Sequence, residues 1–140
     1  MNEEDLKQAL AALELYRGQA QTLAEQQNLV QFSLEEYTRA KETLAMWKDT
    51  PQDAEILVPV GGNSFVFAKV DSNSKALVGV GTGLTMEKPI QEALDTFEAR
   101  IKELNEGLKK VGENRAVAES RANQLAQMVQ GEYDRLQQQG

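Results

Sequence analysis

Two long segments of this 140-residue chain carry apolar residues at alternating spacings of three and four. From Leu6 to Leu44, ten of twelve such positions are apolar or aromatic, and from Ile90 to Leu136 the count is twelve of fourteen. A 3.5-residue repeat sustained over five or more heptads is typical of coiled-coil helices, because it places one narrow apolar seam along each helix. Helices of about 45 and 50 residues extend roughly 67 and 75 Å, whereas a compact body of this size has a radius of gyration of about 14 Å.

Between the two helical segments the apolar period changes from 3.5 to 2. Short β-branched and aromatic runs are separated by three turn segments, Gly61-Gly62-Asn63, residues 71–74 and residues 81–83. Runs of this kind indicate four short strands that form two successive β-hairpins. Pro59 lacks an N–H group, so its strand should lie at a sheet edge or contain a bulge.

These patterns together predict an α+β fold. We expect a long antiparallel α-helical coiled-coil hairpin with two β-hairpins, four short strands in all, between the helices. The predicted parts are an N-terminal coiled-coil helix at 1–50, a β-hairpin oligomerisation region at 51–87 and a C-terminal coiled-coil helix at 88–140. Pro51 should end the first helix, and Pro89 should lie in the first turn of the second helix, with Thr85 as a possible cap.

The β region has too little covering in this chain to bury both faces of its strands, and its edges are open. Pairing with the β regions of other subunits would solve both problems, so the sequence predicts an oligomer. The apolar strand residues expected to form this oligomerisation surface are Ile56, Val58, Val60, Phe65, Phe67, Val70, Val78 and Val80.

The far end of the predicted coiled coil carries a second set of apolar residues. An antiparallel arrangement that places Leu44 near Ile90 also places Leu6 near residue 128, beyond which no further helix completes the seam. Exposed apolar surface there would suit binding of unfolded polypeptide, and packing within the seam is the alternative for each residue, most evenly balanced at Leu13 and Val129. The predicted contact residues are Leu6, Leu10, Leu13, Met128, Val129, Tyr133 and Leu136.

Four polar residues interrupt the two seams: Gln27, Lys41, Arg115 and Glu132. Isolated polar residues at seam positions commonly set the register of a coiled coil or lie at solvated edges. We therefore expect a structural role for them, with a functional role as the less favoured alternative.

The composition excludes several classes of chemistry. The chain has no Cys and no His, so thiolate or imidazole metal sites, disulfides and Ser-His-Asp triads are absent, and we expect no cofactor and no enzyme activity.

Its net charge of −7 is spread along the chain, which disfavours nucleic-acid binding. The glycines at 79, 81 and 83 precede no βαβ unit, so a phosphate-binding loop is disfavoured. No signal peptide or membrane span is evident, and we expect a cytoplasmic protein.

The order of elements resembles that of the α-class subunit of archaeal prefoldin. The similarity lies in a helix, two hairpins carrying Leu57-Val58-Pro59-Val60-Gly61 and Val78-Gly79-Val80-Gly81, and a longer helix that opens with Pro89. It covers essentially the whole chain and is most specific over residues 55–94, because the family's β-class subunit has a single hairpin.

The resemblance implies a hetero-hexamer of two α and four β subunits, in which hairpins assemble into β barrels and a second α subunit completes a central pair. It further implies that the coiled-coil ends capture non-native polypeptides without ATP and pass them to a group II chaperonin. The alternative function is a coiled-coil structural or tethering protein that oligomerises through the β region. Both functions predict the same fold and differ in whether the coiled-coil ends present accessible apolar residues.

Overall fold

The computed structural model of the chain describes residues 1–139, and Gly140, the last residue of the predicted C-terminal helix, lies outside the described residues. Two long helices flank four strands, which agrees with the predicted α+β fold. The elements are α1 (Glu3–Asp49), β1 (Glu55–Gly61), β2 (Ser64–Lys69), β3 (Lys75–Gly81), β4 (Leu84–Pro89) and α2 (Ile90–Gln139).

Both ends of α1 are capped by side chains. The backbone N–H of Asp5 donates to the Asn2 side-chain oxygen at 2.7 Å, and three acidic residues in the first turn complement the positive end of the helix dipole. At the other end, the Thr50 hydroxyl donates to the Met46 carbonyl, and the Asn73 side chain donates to the Thr50 carbonyl. These contacts end α1 just before Pro51, as predicted.

The chain forms two compact units. The first, made of residues 1–33 and 104–139, contains the N-terminal part of α1 and the C-terminal part of α2. Its buried apolar residues all occupy predicted seam positions: Ala9, Leu13, Ala118, Ala122 and Val129. Tyr16 packs beneath the Arg121 guanidinium and Gln27 accepts a hydrogen bond from Arg115, so the helices run antiparallel in this unit.

The second unit, Leu34–Glu103, contains the four strands and the helix segments next to them. Tyr37 and Phe97 meet edge to face with ring centroids 5.6 Å apart, which continues the seam in this unit. The apolar core lies where the strands meet the helices and consists of Val70, Val78, Ile90 and Ala93. The Trp47 indole donates to the Ser72 carbonyl at 2.8 Å and thereby fixes the segment between the hairpins against the end of α1.

The two hairpins repeat one backbone plan at an interval of twenty residues. In hairpin 1, β1 pairs with β2 from Glu55↔Lys69 onward, and in hairpin 2, β3 pairs with β4 from Lys75↔Pro89 onward. Each ladder shifts register at the same point, between Pro59 and Gly61 in hairpin 1 and at the equivalent position in hairpin 2. β1 has a register shift beside Pro59 and also an open edge, so both alternatives predicted for a strand with a residue that cannot donate to the ladder are present.

The start of α2 differs from the prediction. Pro89 is the last residue of β4, not a residue of the first helical turn, and Thr85 pairs with Gly79 within the strands, where it cannot cap the helix. Ladder pairing to Lys75 extends β4 to Pro89, and the backbone N–H of Ile90 then donates to the Ser74 carbonyl. The helix α2 therefore begins at Ile90, whose backbone N–H makes this hydrogen bond.

The polar seam residues all have partners. Gln27 bonds with Arg115 at 2.8 Å, and the Lys41 ammonium lies 3.7 Å from the Glu98 carboxylate. Glu132, only 9% exposed, is the single buried charged residue among residues 1–139. A hydrogen bond from Arg135 lowers the pKa of the Glu132 carboxyl below its ordinary value, outweighing the opposite effect of burial.

The hairpin 2 turn contains a strained residue. Thr82 has a φ of 51°, in the left-handed region that β-branched residues disfavour, while the equivalent position in hairpin 1 is Gly62. Because Asn tolerates this conformation, Thr82→Asn should raise the free energy of unfolding by about 0.5–1 kcal/mol. Thermal or denaturant unfolding measures the change. The control Thr85→Asn, placed in β4, should be destabilising because Asn is depleted in strands; destabilisation by Thr82→Asn would contradict the strain argument.

The Glu132–Arg135 pair predicts a specific pH dependence. Because the pKa of Glu132 is lower in the folded than in the unfolded chain, the charged carboxylate stabilises the fold above its unfolded pKa. That stabilisation is lost as the pH falls through the folded-state pKa. Glu132→Gln should therefore lower Tm at pH 7, and the difference should shrink between about pH 5 and pH 3. The exposed Glu113→Gln controls for loss of one negative charge, and a Tm difference that persists undiminished at pH 3 would contradict the assignment.

Candidate binding surfaces

The seven residues predicted to contact unfolded polypeptide all lie in the first unit. We call this set (Leu6, Leu10, Leu13, Met128, Val129, Tyr133 and Leu136) the tip cluster. Four of its side chains are exposed by 38–51%: Leu10, Met128, Tyr133 and Leu136. Leu6 is half-buried, whereas Leu13 and Val129 are each only 6% exposed and pack within the seam.

Helix geometry explains the exposure of Leu10, Met128 and Tyr133, whereas Leu136 is itself a seam position and is exposed near the C-terminal end of α2. Leu10 follows the buried Ala9, Met128 precedes the buried Val129, and Tyr133 follows the buried Glu132. Adjacent residues on a helix point about 100° apart, so a side chain next to a seam residue lies on the flank of the seam. Exposed apolar side chains thus flank the buried seam residues near the N-terminal end of α1 and the C-terminal end of α2, and we call them the apolar rim.

The chemistry of the exposed rim suits non-directional binding. Leucine and methionine offer adaptable apolar surface, and tyrosine adds an aromatic face with a polar hydroxyl. The Glu132–Arg135 ion pair lies among these side chains, with the Glu132 carboxylate mostly covered and the Arg135 side chain about half exposed. Burial of apolar area does not depend on a particular hydrogen-bonding pattern, so such a surface does not require one ligand sequence.

The predicted oligomerisation residues all lie in the second unit and divide by exposure. Val70 and Val78 are buried in the core of the unit, and Ile56 is half-buried. The other five remain 38–76% exposed: Val58, Val60, Phe65, Phe67 and Val80.

Sequence reasoning missed five further exposed apolar side chains on the strands. They are Leu57, Val66, Leu77, Leu84 and Met86, which are 48–75% exposed. The uninterrupted apolar run from Ile56 to Val60 was the available signal, because a strand that is apolar at consecutive positions presents apolar side chains on both faces.

The strands leave unpaired backbone as well as exposed side chains. Each hairpin is a separate two-stranded sheet, so each strand has one neighbour and one open edge. Isolated two-stranded sheets are marginally stable in water, and open apolar edges are templates for pairing with another chain. Hydrogen bonding and side-chain burial thus both favour association through this region.

Three further observations concern other kinds of function. Gly79, Gly81 and Gly83 lie in β3 and the turn of hairpin 2, where Gly81 and Gly83 adopt positive φ. Within residues 1–139, no group of three or more acidic side chains is placed to hold a metal ion. Neither α1 nor α2 is long and apolar enough, over the residues that the structure describes, to cross a membrane.

Comparison with known proteins gives consistent matches along the chain. The family model for prefoldin subunits matches residues 16–135. Prefoldin subunit alpha of Pyrococcus horikoshii is 32% identical over 92% of this chain and 88% of its own length. Prefoldin subunit alpha of Methanosarcina barkeri is 31% identical over 99% of this chain and 95% of its own length.

Solved structures show the same fold. The cryo-EM structure of filamentous PFD from Methanocaldococcus jannaschii matches with a TM-score of 0.68 and 25% identity, covering 83% of this chain and 96% of that one. The crystal structure of the prefoldin beta subunit from Thermococcus strain KS-1 matches with a TM-score of 0.60 and 20% identity, over 91% and 90% of the two chains. The family model, the relatives and the fold agree along most of the chain. The chain therefore belongs to the prefoldin family and is similar to its α subunits, which supports a role as a chaperone subunit.

Proposed function

We propose that this protein is the α-class subunit of a hexameric prefoldin that captures non-native polypeptides at the tip cluster and prevents their aggregation. The single observation that carries this proposal is the rim of exposed apolar side chains at the free helix ends: Leu10, Met128, Tyr133 and Leu136. A tether with one dedicated partner would need a polar end with a specific recognition face, and an adaptable apolar rim suits varied clients better.

The proposed assembly contains two copies of this chain and four β-class subunits, joined through the hairpins. The open edges of both two-stranded sheets and the exposed strand side chains support it. In this proposal capture requires no ATP, the protein is not an enzyme, and it acts in the cytoplasm by passing clients to a group II chaperonin. Burial of apolar client segments supplies the binding free energy, and no step of capture consumes a nucleotide.

The tip cluster can be tested with a matched pair of variants. One variant replaces Leu10, Met128, Tyr133 and Leu136 by Ser; the control replaces Leu29 and Phe32 by Ser, which are 69% and 58% exposed on α1 outside the tip cluster. Each is assembled with a β-class partner, and aggregation of a chemically denatured enzyme is followed by light scattering, with and without ATP. The tip variant should need severalfold more protein for the same suppression, because it has lost most of the exposed apolar rim.

Native mass spectrometry of each assembly separates loss of capture from loss of the hexamer. The proposal predicts that both variants form hexamers, that only the tip variant captures poorly, and that ATP changes neither result. An intact hexamer of the tip variant with undiminished suppression of aggregation would contradict the proposed contact site. A wild-type hexamer that suppresses no aggregation would favour the tethering function.

A further inference from the structure

An ion pair with a buried carboxylate lies among the exposed apolar side chains of the apolar rim. The Glu132 side chain is only 10% exposed, although Met128 and Leu136, one helical turn away on either side, are exposed. The Arg135 guanidinium donates to both oxygens of this carboxylate, from Nε at 3.3 Å and from Nη2. Because the Arg135 side chain is itself 48% exposed, the pair presents a guanidinium to solvent within an apolar surface.

The burial of this carboxylate is not explained by stability alone. Arg100 and Glu103 form a second pair with the same spacing on α2, in the other unit, and there the carboxylate side chain is 67% exposed. Taking a carboxylate out of water costs free energy that an ion pair only partly returns, and apolar residues of similar volume often stabilise a fold equally well. A buried pair at the seam position Glu132 therefore calls for a role that apolar residues could not perform.

The Arg135 guanidinium has hydrogen-bonding capacity that its carboxylate partner does not use. A guanidinium carries five N–H groups and no acceptor. Glu132 accepts from two of them, and the other three make no hydrogen bond among residues 1–139. The contact with both carboxylate oxygens fixes the plane of the guanidinium, so less side-chain entropy is lost when its remaining N–H groups bind an acceptor. Arg135 is thus a preorganised donor for an oxygen atom of a bound molecule.

Arg135 and Met128 lie on the same stripe of α2. Seven residues are close to two full turns of an α-helix and rise about 10.5 Å. An extended polypeptide covers that distance with about three residues. A client segment that lies along this stripe can therefore place an apolar side chain on Met128 and a backbone carbonyl at Arg135.

The surrounding charges favour a neutral acceptor over a carboxylate. The two helices run antiparallel in this unit, so the three acidic residues in the first turn of α1 lie at the same end of the unit as Arg135. Asp134 adds a neighbouring carboxylate, and Glu132 already balances the charge of Arg135. Acidic groups repel a further carboxylate, whereas a backbone carbonyl carries no net charge and accepts hydrogen bonds.

We propose that Arg135 donates hydrogen bonds to backbone carbonyls of extended, non-native segments bound at the apolar rim, and that Glu132 is the positioning residue that fixes its guanidinium. This inference rests on the proposed capture function and adds a polar contact to it. In folded proteins most buried backbone carbonyls are already paired, whereas an extended segment offers them to a new donor. The apolar rim then contributes affinity, and Arg135 contributes selectivity for unfolded chain.

Arg135→Met separates this contact from apolar binding. Methionine is long and apolar, so it enlarges the apolar surface while it removes every guanidinium N–H. Apolar burial alone predicts equal or tighter binding, whereas the proposal predicts a dissociation constant about threefold to tenfold higher, because hydrogen bonds from a charged donor are lost. Fluorescence anisotropy measures binding of the hexamer to a labelled, uncharged, unstructured peptide rich in Leu, Ser and Gly. The matched control Arg100→Met should leave binding unchanged; unchanged or tighter binding by Arg135→Met would overturn the proposal.

A double variant distinguishes the proposed contact from a purely structural role of the pair. Glu132→Leu combined with Arg135→Met replaces the ion pair by apolar residues, which should maintain or raise Tm. If the pair only maintains seam packing, this stable variant should bind the peptide as the wild type does. The proposal predicts binding as weak as that of Arg135→Met, and recovery of wild-type binding would contradict it. Glu132→Leu alone, which keeps the guanidinium but not its orientation, should weaken binding by a smaller factor.

Two further comparisons identify the acceptor and separate this inference from the capture function. A peptide with one Ser replaced by Glu should bind no more tightly; tighter binding that Arg135→Met abolishes would show that the acceptor is a carboxylate and that the inference is wrong. The variant with four Ser residues in the apolar rim measures binding by the rest of the hexamer, including the β-class subunits. If that variant binds as the wild type does, the capture function fails. If it loses binding while Arg135→Met does not, only the role of Arg135 fails.

Discussion

Burial of one narrow apolar seam is the interaction on which the rest of the structure depends. Each helix carries polar side chains around most of its circumference, so its seam has only the other helix to pack against. In the first unit the buried seam residues include small ones such as Ala118 and Ala122, and the hydrogen-bonded pair Gln27 and Arg115 occupies positions where the apolar pattern is interrupted. Most of the stability of helices in proteins comes from packing of an apolar face rather than from intrinsic helix propensity, so this mutual burial stabilises both helices. Because the packed seam fixes the two helices, exposed apolar side chains beside it keep their positions without having to stabilise the fold.

The sequence was sufficient for the main elements because coiled-coil and strand periodicities are local signals. Both helices, both hairpins, the bulge beside Pro59 and the end of α1 before Pro51 were predictable from spacing and from the chemistry of proline. The beginning of α2 was not, because a proline at a strand end and a proline in a first helical turn look alike in sequence. The strand pairing of Lys75 with Pro89 places Pro89 in β4 and not in α2, and this pairing depends on the register of the whole hairpin.

The exposure of the candidate residues was only partly predictable from the sequence. Heptad spacing placed Leu13 and Val129 near the helix ends, yet their exposure depends on how closely the partner helix covers them, and both are buried. On the strands, the predicted oligomerisation residues include Val70 and Val78, which are buried within the chain, and omit Leu57 and Leu77, which are exposed. Which side of a hairpin faces outward follows from its contacts with the helix ends, such as the bond between Trp47 and Ser72, and these lie far apart in sequence.

The twenty-residue repeat of the hairpins has an evolutionary consequence. In each hairpin the first and last residues are Cα partners, Glu55 with Lys69 and Lys75 with Pro89, so the chain leaves the strand pair close to where it entered. Duplication or loss of one such segment would leave the two long helices able to meet as before. Ancestral subunits with one hairpin and descendants with two could therefore share the same helix pair, and the added copy would be free to diverge on the side that faces away from its own chain.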